Sequence, residues 1–125
     1  MESDNFLRSR IRSFGYAFKG ISFLFREQPN AKIHFCVMLC VLTAGICFNI
    51  SVGEWCAVIV CIGGVLMAEG FNSAIEALAD KVCSDRDPLI GKAKDIAAGA
   101  VLLFVMAAVV VGLIIFIPYL VALLF

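Results

Sequence analysis

No lysine or arginine lies between Lys32 and Lys81, and none follows Lys94. Long apolar runs fill both gaps. With 62% hydrophobic residues, 16% charged residues and a mean hydropathy of +1.01, this sparing use of charge excludes an ordinary soluble globular domain. At 125 residues the chain reads as one small membrane domain, residues 1–125, and not as a multidomain enzyme. The six cysteines include no CxxC pair, and all but Cys83 sit within apolar runs. Cys36 and Cys40 share a helix face, but they read as buried small apolar residues, not as a metal or redox site. Nucleotide-binding loops are missing too. Gly91-Lys92 is followed by Ala93 and has Arg86 where GxxxxGK needs its first glycine, and there is no GxGxxG. The first 30 residues lack the order of a signal peptide and are expected to stay in the mature protein. Repeats and low-complexity segments are absent, and no nucleic-acid partner is expected.

The ten cations that are present are sorted. Arg8, Arg10, Arg12, Lys19, Arg26 and Lys32 precede the first apolar run, and Lys81, Arg86, Lys92 and Lys94 lie between the second and third. Cytoplasmic segments are the ones that collect Lys and Arg, so both regions are expected inside and the C-terminus outside. Over residues 6–28, Leu7, Ile11, Phe14, Phe18, Ile21 and Phe25 recur at steps of 4 and 3, with Arg8, Arg12, Lys19 and Arg26 mainly elsewhere on the wheel. This pattern predicts an amphipathic helix, lying in the membrane surface or packed against the spans. Three spans are expected at about 33–50, 54–82 and 95–117. Pro29 ends the first helix, the Asp85-Arg86-Asp87-Pro88 segment makes a charged loop, and Pro118 kinks or ends the last span. Ala97-Ala98-Gly99-Ala100 lacks bulk, as close helix packing in a bilayer requires.

The second span carries the polar groups. Glu69, Asn72, Glu76 and Asp80 are spaced by 3, 4 and 4, which puts them on one helix face. At about 1.5 Å per residue from a start at Glu54, Glu69 lies roughly 22 Å and Glu76 roughly 33 Å from the outer end. Against a core of about 30 Å, Glu69 falls in the inner leaflet and Glu76 at the cytoplasmic boundary. A carboxylate at lipid depth is costly enough to indicate function. Because three spans cannot shield it on every side, an oligomer is expected. Glu76 and Glu27 offer oxygen ligands for phosphate-bound Mg²⁺, with Lys94 and Asp95 on the same side. As a purely structural alternative, Glu76 and Asp80 would pair with Lys94, Lys92 or Lys81. His34 reads as a headgroup or backbone partner. These observations leave two classes: a membrane enzyme acting on a lipid at the inner leaflet, or a small oligomeric proton-coupled transporter using Glu69.

The stretch from Ala68-Glu69 through Asn72-Ser73-Ala74-Ile75-Glu76 to Asp80, followed by Gly91-Lys92-Ala93-Lys94-Asp95, closely resembles the prokaryotic diacylglycerol kinase and undecaprenol kinase family. Gly15-Tyr16-Ala17-Phe18-Lys19-Gly20 and Glu27 resemble its N-terminal part, and the likeness covers about residues 8–115. The resemblance implies an all-α homotrimeric membrane kinase with active sites shared between subunits. It would transfer the γ-phosphate of ATP, with Mg²⁺, to the hydroxyl of a membrane lipid. By position, Glu69 resembles the general base with Asn72 supporting it, and Glu27 and Glu76 resemble Mg²⁺ ligands. Tyr16, Lys19, Asp85, Arg86, Asp87, Lys94 and Asp95 resemble the nucleotide site. Ser9 stands where the proteobacterial diacylglycerol kinases have an arginine, flanked by Arg8 and Arg10. With one extra residue, Glu27 to His34 is instead similar to the Glu-x-Asn-x-Arg/Lys-Ile-His pattern of undecaprenol kinases. The lipid acceptor is left open between the two.

Overall fold

The computed structural model describes residues 2–83 and 86–125, apart from the side chains of residues 2–4. Among them every regular element is an α-helix: α1 Glu2–Glu27, α2 Pro29–Cys47, α3 Val52–Val82 and α4 Pro88–Leu124. The last three are each long and apolar enough to cross a membrane. The fold is therefore all-α with three candidate spans.

Local chemistry sets the helix ends, and it moves several of them from their expected positions. Gln28 is extended (φ −97°, ψ 114°), as a residue before proline should be. Pro29, however, opens the next helix as well as closing the first. A first-turn residue needs no hydrogen-bonded N–H, so α2 starts at Pro29 and not at 33. At the far end of α2, Asn49 takes the left-handed conformation (φ 50°). Its N–H donates to the Ile46 carbonyl at 3.1 Å and that of Ile50 to the Gly45 carbonyl at 3.2 Å, satisfying the last carbonyls of the helix. Ser51 then starts α3 through reciprocal bonds with Glu54: the Ser51 N–H donates to Glu54 Oε2 at 2.7 Å, and the Glu54 N–H to Ser51 Oγ at 3.3 Å. Similarly, Asp87 Oδ1 accepts from the N–H groups of Leu89 (2.8 Å) and Ile90 (3.0 Å), so α4 begins at Pro88 rather than 95.

Pro118 does not end α4, which runs on to Leu124. The next residue is held from two sides: the Tyr119 hydroxyl donates to Glu54 Oε2 at 2.9 Å, and its ring stacks on Phe48 at 5.7 Å between centroids. These contacts anchor the segment after the proline, and prolines are tolerated within membrane helices.

α3 is the central element, touching each of the other three helices and packing most extensively on α4. The closest approach is at Gly64, where a Cβ would collide with the ring of Phe104. A small apolar core of Ile50, Val58 and Ile115 sits at the Tyr119 end, ringed by Phe48, Trp55 and Phe116. Contrary to expectation, Cys36, Cys40, Cys47 and Cys56 lie on the outer surface of the chain and not in its core. A span has an outer surface facing hydrocarbon, so a small apolar thiol is as well placed there as inside. Of α1, only the last turns are attached. Leu24 and Phe25 are partly buried, Phe25 meeting Phe35 edge-on at 5.4 Å, while Ile11, Phe14 and Phe18 are exposed.

Candidate active site

Along one face of α3, burial falls steadily. Glu69 is 1% exposed and Asn72 6%, Glu76 is half-buried, and the Asp80 side chain is 69% exposed. This single face therefore runs from the interior of the bundle to its surface. Where it is most buried, Glu69 and Asn72 line a cavity of about 290 Å³ together with Asn30 and His34 of α2 and Ala98 and Val101 of α4. Ala98 belongs to the low-bulk stretch at the start of α4. Its small side chain forms part of the cavity wall, whereas the tight helix contact is made by Gly64 and Phe104.

Hydrogen bonding leaves this cavity unsatisfied. The Asn72 Nδ2 group donates to Glu76 Oε1 at 3.3 Å, so its amide leans toward Glu76 and not toward Glu69. Glu69 Oε2 and Asn72 Oδ1 are buried without a hydrogen-bond partner. Buried oxygens are costly to leave unpaired, and both are acceptors. A hydroxyl entering the cavity would supply the donor that Glu69 lacks.

Farther along, Lys94 of α4 donates through Nζ to Asp80 Oδ1 at 2.8 Å, tying α4 to α3 beside Glu76. One of the purely structural pairings expected from the sequence is thus present. Asp95 is exposed next to Lys94. Asp87 is engaged as the α4 cap, Arg86 is exposed just before it, and Asp85 lies outside the described residues. Tyr16 and Lys19 are exposed on α1, Lys19 Nζ lying 5.8 Å from the Phe23 ring centroid, and neither lines the Glu69 cavity. Glu27, also exposed, lines a different space of about 640 Å³ between α1 and α3 with Leu24, Gly70, Ser73 and Ala77. One chain thus sets Glu69 and Asn72 on one cavity, with Glu76 and Lys94 farther along the α3–α4 pair, and Tyr16, Lys19 and Glu27 are not among the residues that line that cavity.

Among the described residues no three His, Cys, Asp or Glu side chains form a group able to hold a metal. Mg²⁺ does not require one, because it is usually held by one or two carboxylates together with substrate phosphates and water. Glu76 has a second oxygen, Oε2, beyond the one bonded to Asn72, and Glu27 is exposed, so this oxygen-only donor set fits a hard cation.

Of the cavity's polar residues, sequence reasoning left Asn30 outside the helix and read His34 only as a headgroup or backbone partner. Their spacing of four becomes a shared face because the helix starts at Pro29.

Residues 15–116 match the model for prokaryotic diacylglycerol kinase, a span that takes in every candidate site residue and leaves Arg8, Arg10 and Arg12 outside. The chain is 36% identical over 114 residues to an undecaprenol kinase of Bacillus subtilis, covering 91% of this chain and 93% of that protein. It is 36% identical over 101 residues to a diacylglycerol kinase of Synechocystis, covering 80% of this chain and 58% of that protein. A diacylglycerol kinase of Escherichia coli is 30% identical over 106 residues, covering 80% of this chain and 82% of that protein. A family match covering most of the chain, with relatives aligned over most of its length and three helices apolar enough to span a membrane, makes this protein a member of the prokaryotic diacylglycerol kinase family.

Proposed function

We propose that the protein is a lipid kinase of the bacterial cytoplasmic membrane, transferring the γ-phosphate of ATP to the hydroxyl of a lipid alcohol, either a diacylglycerol or undecaprenol. The observation that carries this reading is Glu69: fully buried, unpaired at Oε2, and open to a cavity rather than to another side chain. In the proposed step the lipid hydroxyl donates its proton to Glu69 as its oxygen forms a bond to the γ-phosphorus. The bond from that phosphorus to the bridging β–γ oxygen breaks, and ADP leaves. Such a transfer needs positioning and charge neutralisation more than covalent help, so no P-loop is required.

Glu76 and Glu27 are the residues proposed to hold Mg²⁺, which when bound neutralises charge on the ATP phosphates. Lys94 is proposed to move from Asp80 to a phosphate, with Asp95, Arg86 and Asp87 around it and Tyr16 and Lys19 completing the nucleotide site. The separation of Tyr16, Lys19 and Glu27 from the Glu69 cavity within one chain favours a homotrimer with sites shared between subunits. α1 is proposed to lie in the membrane surface, in keeping with its uncovered apolar residues. The sorted cations support a site on the cytoplasmic side, with the N-terminus inside and the C-terminus outside.

A proton-coupled transporter would need polar groups leading outward from Glu69. The lining on that side is instead formed by residues such as Val65, Ile62 and Val58, which favours the kinase. Replacing Glu69 with Gln keeps the shape and removes the basicity. The expected outcome is loss of phosphate transfer with helix content and oligomer size unchanged; transfer at the wild-type rate by Glu69→Gln would rule out Glu69 as the base.

A further inference from the structure

Viewed down its axis at about 100° per residue, α1 divides into three sectors. The first is the apolar stripe of Leu7, Ile11, Phe14, Phe18, Ile21 and Phe25. About a third of a turn round, Gly20, Leu24 and Glu27 line the space between α1 and α3. The third sector is cationic. Arg8, Arg12, Lys19 and Arg26 follow one another at steps of 4, 7 and 7, which sets them within about 40° of one another along about 27 Å of helix. All four are exposed, and among the described residues none has an ion-pair partner. No Asp or Glu lies between Asp4 and Glu27, so no acid interrupts the stripe.

We propose that this stripe binds the phosphate groups of anionic phospholipids in the cytoplasmic leaflet, at a lipid site separate from the Glu69 cavity. The proposal rests on the reading of the protein as a membrane kinase whose α1 lies in the cytoplasmic surface. A helix with its apolar stripe in the acyl boundary holds cations a third of a turn away at headgroup level, their stems along the apolar surface and their charges outward. Charge complementarity selects the occupant. A zwitterionic headgroup cancels its phosphate with its own amine, whereas an anionic lipid leaves net negative charge for the stripe. Held on two of its sectors, α1 has a fixed roll about its axis. That roll sets the direction in which it presents Tyr16 and Glu27.

Arg8 and Arg12 precede the matched segment 15–116 and can be changed without touching the proposed nucleotide site. The full-length protein would be placed in phosphatidylcholine vesicles with a trace of phosphatidylglycerol or phosphatidylcholine that is photoreactive near its headgroup, and the label mapped along the chain. On α1 of the wild type, phosphatidylglycerol is expected to label about fivefold more than phosphatidylcholine, the selectivity that one cation at an anionic surface supplies. Raised salt should erase much of that preference. Arg8→Gln/Arg12→Gln is expected to lose at least half of it. Arg10→Gln is the control and should keep it, since Arg10 lies about half a turn from the stripe, over the Phe6 ring at 5.0 Å.

Equal labelling of wild-type α1 by the two lipids overturns the proposal, as does an equal loss in Arg10→Gln. If the stripe served a soluble phosphate compound instead, the double variant would raise the KM for ATP and leave the labelling ratio unchanged, which also overturns it. Should the double variant fail to fold, the wild type decides: a preference that persists at high salt overturns the stripe. Labelling needs no phosphate transfer. A wild type that prefers phosphatidylglycerol but phosphorylates no lipid supports the stripe and overturns the kinase reading, and an active wild type without the preference does the reverse.

Discussion

Adjacent glycines on α3 should respond in opposite directions to the same substitution. A Cβ on Gly64 would fall within the ring of Phe104, whereas a Cβ on Gly63 would meet nothing within 4 Å. Replacing an interior helical glycine by alanine gains up to about 1 kcal/mol in helix propensity. At Gly63 that gain stands alone. At Gly64 it is set against overpacking of about 1–3 kcal/mol, for a net loss of about 1 kcal/mol. Trp55, the one tryptophan, sits beside the Ile50, Val58 and Ile115 core and reports unfolding by its fluorescence during a titration from mild detergent into SDS. Gly64→Ala is expected to unfold earlier than wild type and Gly63→Ala at the same point or later. Trimming the ring by Phe104→Leu should restore much of the loss. Gly64 is five residues from Glu69, and Phe104 three from Val101 in the cavity wall, so phosphate transfer should also fall in Gly64→Ala alone. Equal stability of the two glycine variants would refute the claim that α3 and α4 meet through Gly64.

Two further outcomes follow from the polar contacts. Lys94→Met is expected to raise the KM for ATP by about tenfold or more, whereas Asp80→Asn, which releases the amine without removing it, should leave that KM near wild type. Equal losses in the two variants would mark the pair as a structural tie only. Ser51→Ala removes one side of the reciprocal cap at the start of α3 and should cost about 1 kcal/mol in the same SDS titration, without changing the KM for ATP or lipid.

Much of this molecule can be read from sequence because a bilayer leaves few options. Long apolar runs between sorted cations must be helices, and a glutamate inside one must face inward. Spacing therefore sufficed to put Glu69, Asn72 and Glu76 on one face and to grade them from interior to surface. The helix starts were harder to read, since Pro29 and Pro88 break one helix and open the next, and only the cap geometry distinguishes the two roles. Misplacing the start of α2 hid Asn30 from the site. Pairings among charges were equally open: Lys81, Lys92 and Lys94 were all within reach of an acid by sequence, and it is Lys94 that bonds Asp80. Pro118 was expected to kink or end the last span, and α4 runs through it to Leu124; the contact that holds the next residue, Tyr119 to Glu54, joins positions too distant in sequence to be read from it.

The central claim, a lipid kinase built around Glu69, is tested most directly by transfer of labelled γ-phosphate from Mg²⁺-ATP by the purified protein in micelles, with diacylglycerol and undecaprenol offered side by side. Label in at least one lipid is the predicted result, and the ratio identifies the preferred acceptor. No label in either lipid, with the protein folded and oligomeric, would contradict the account.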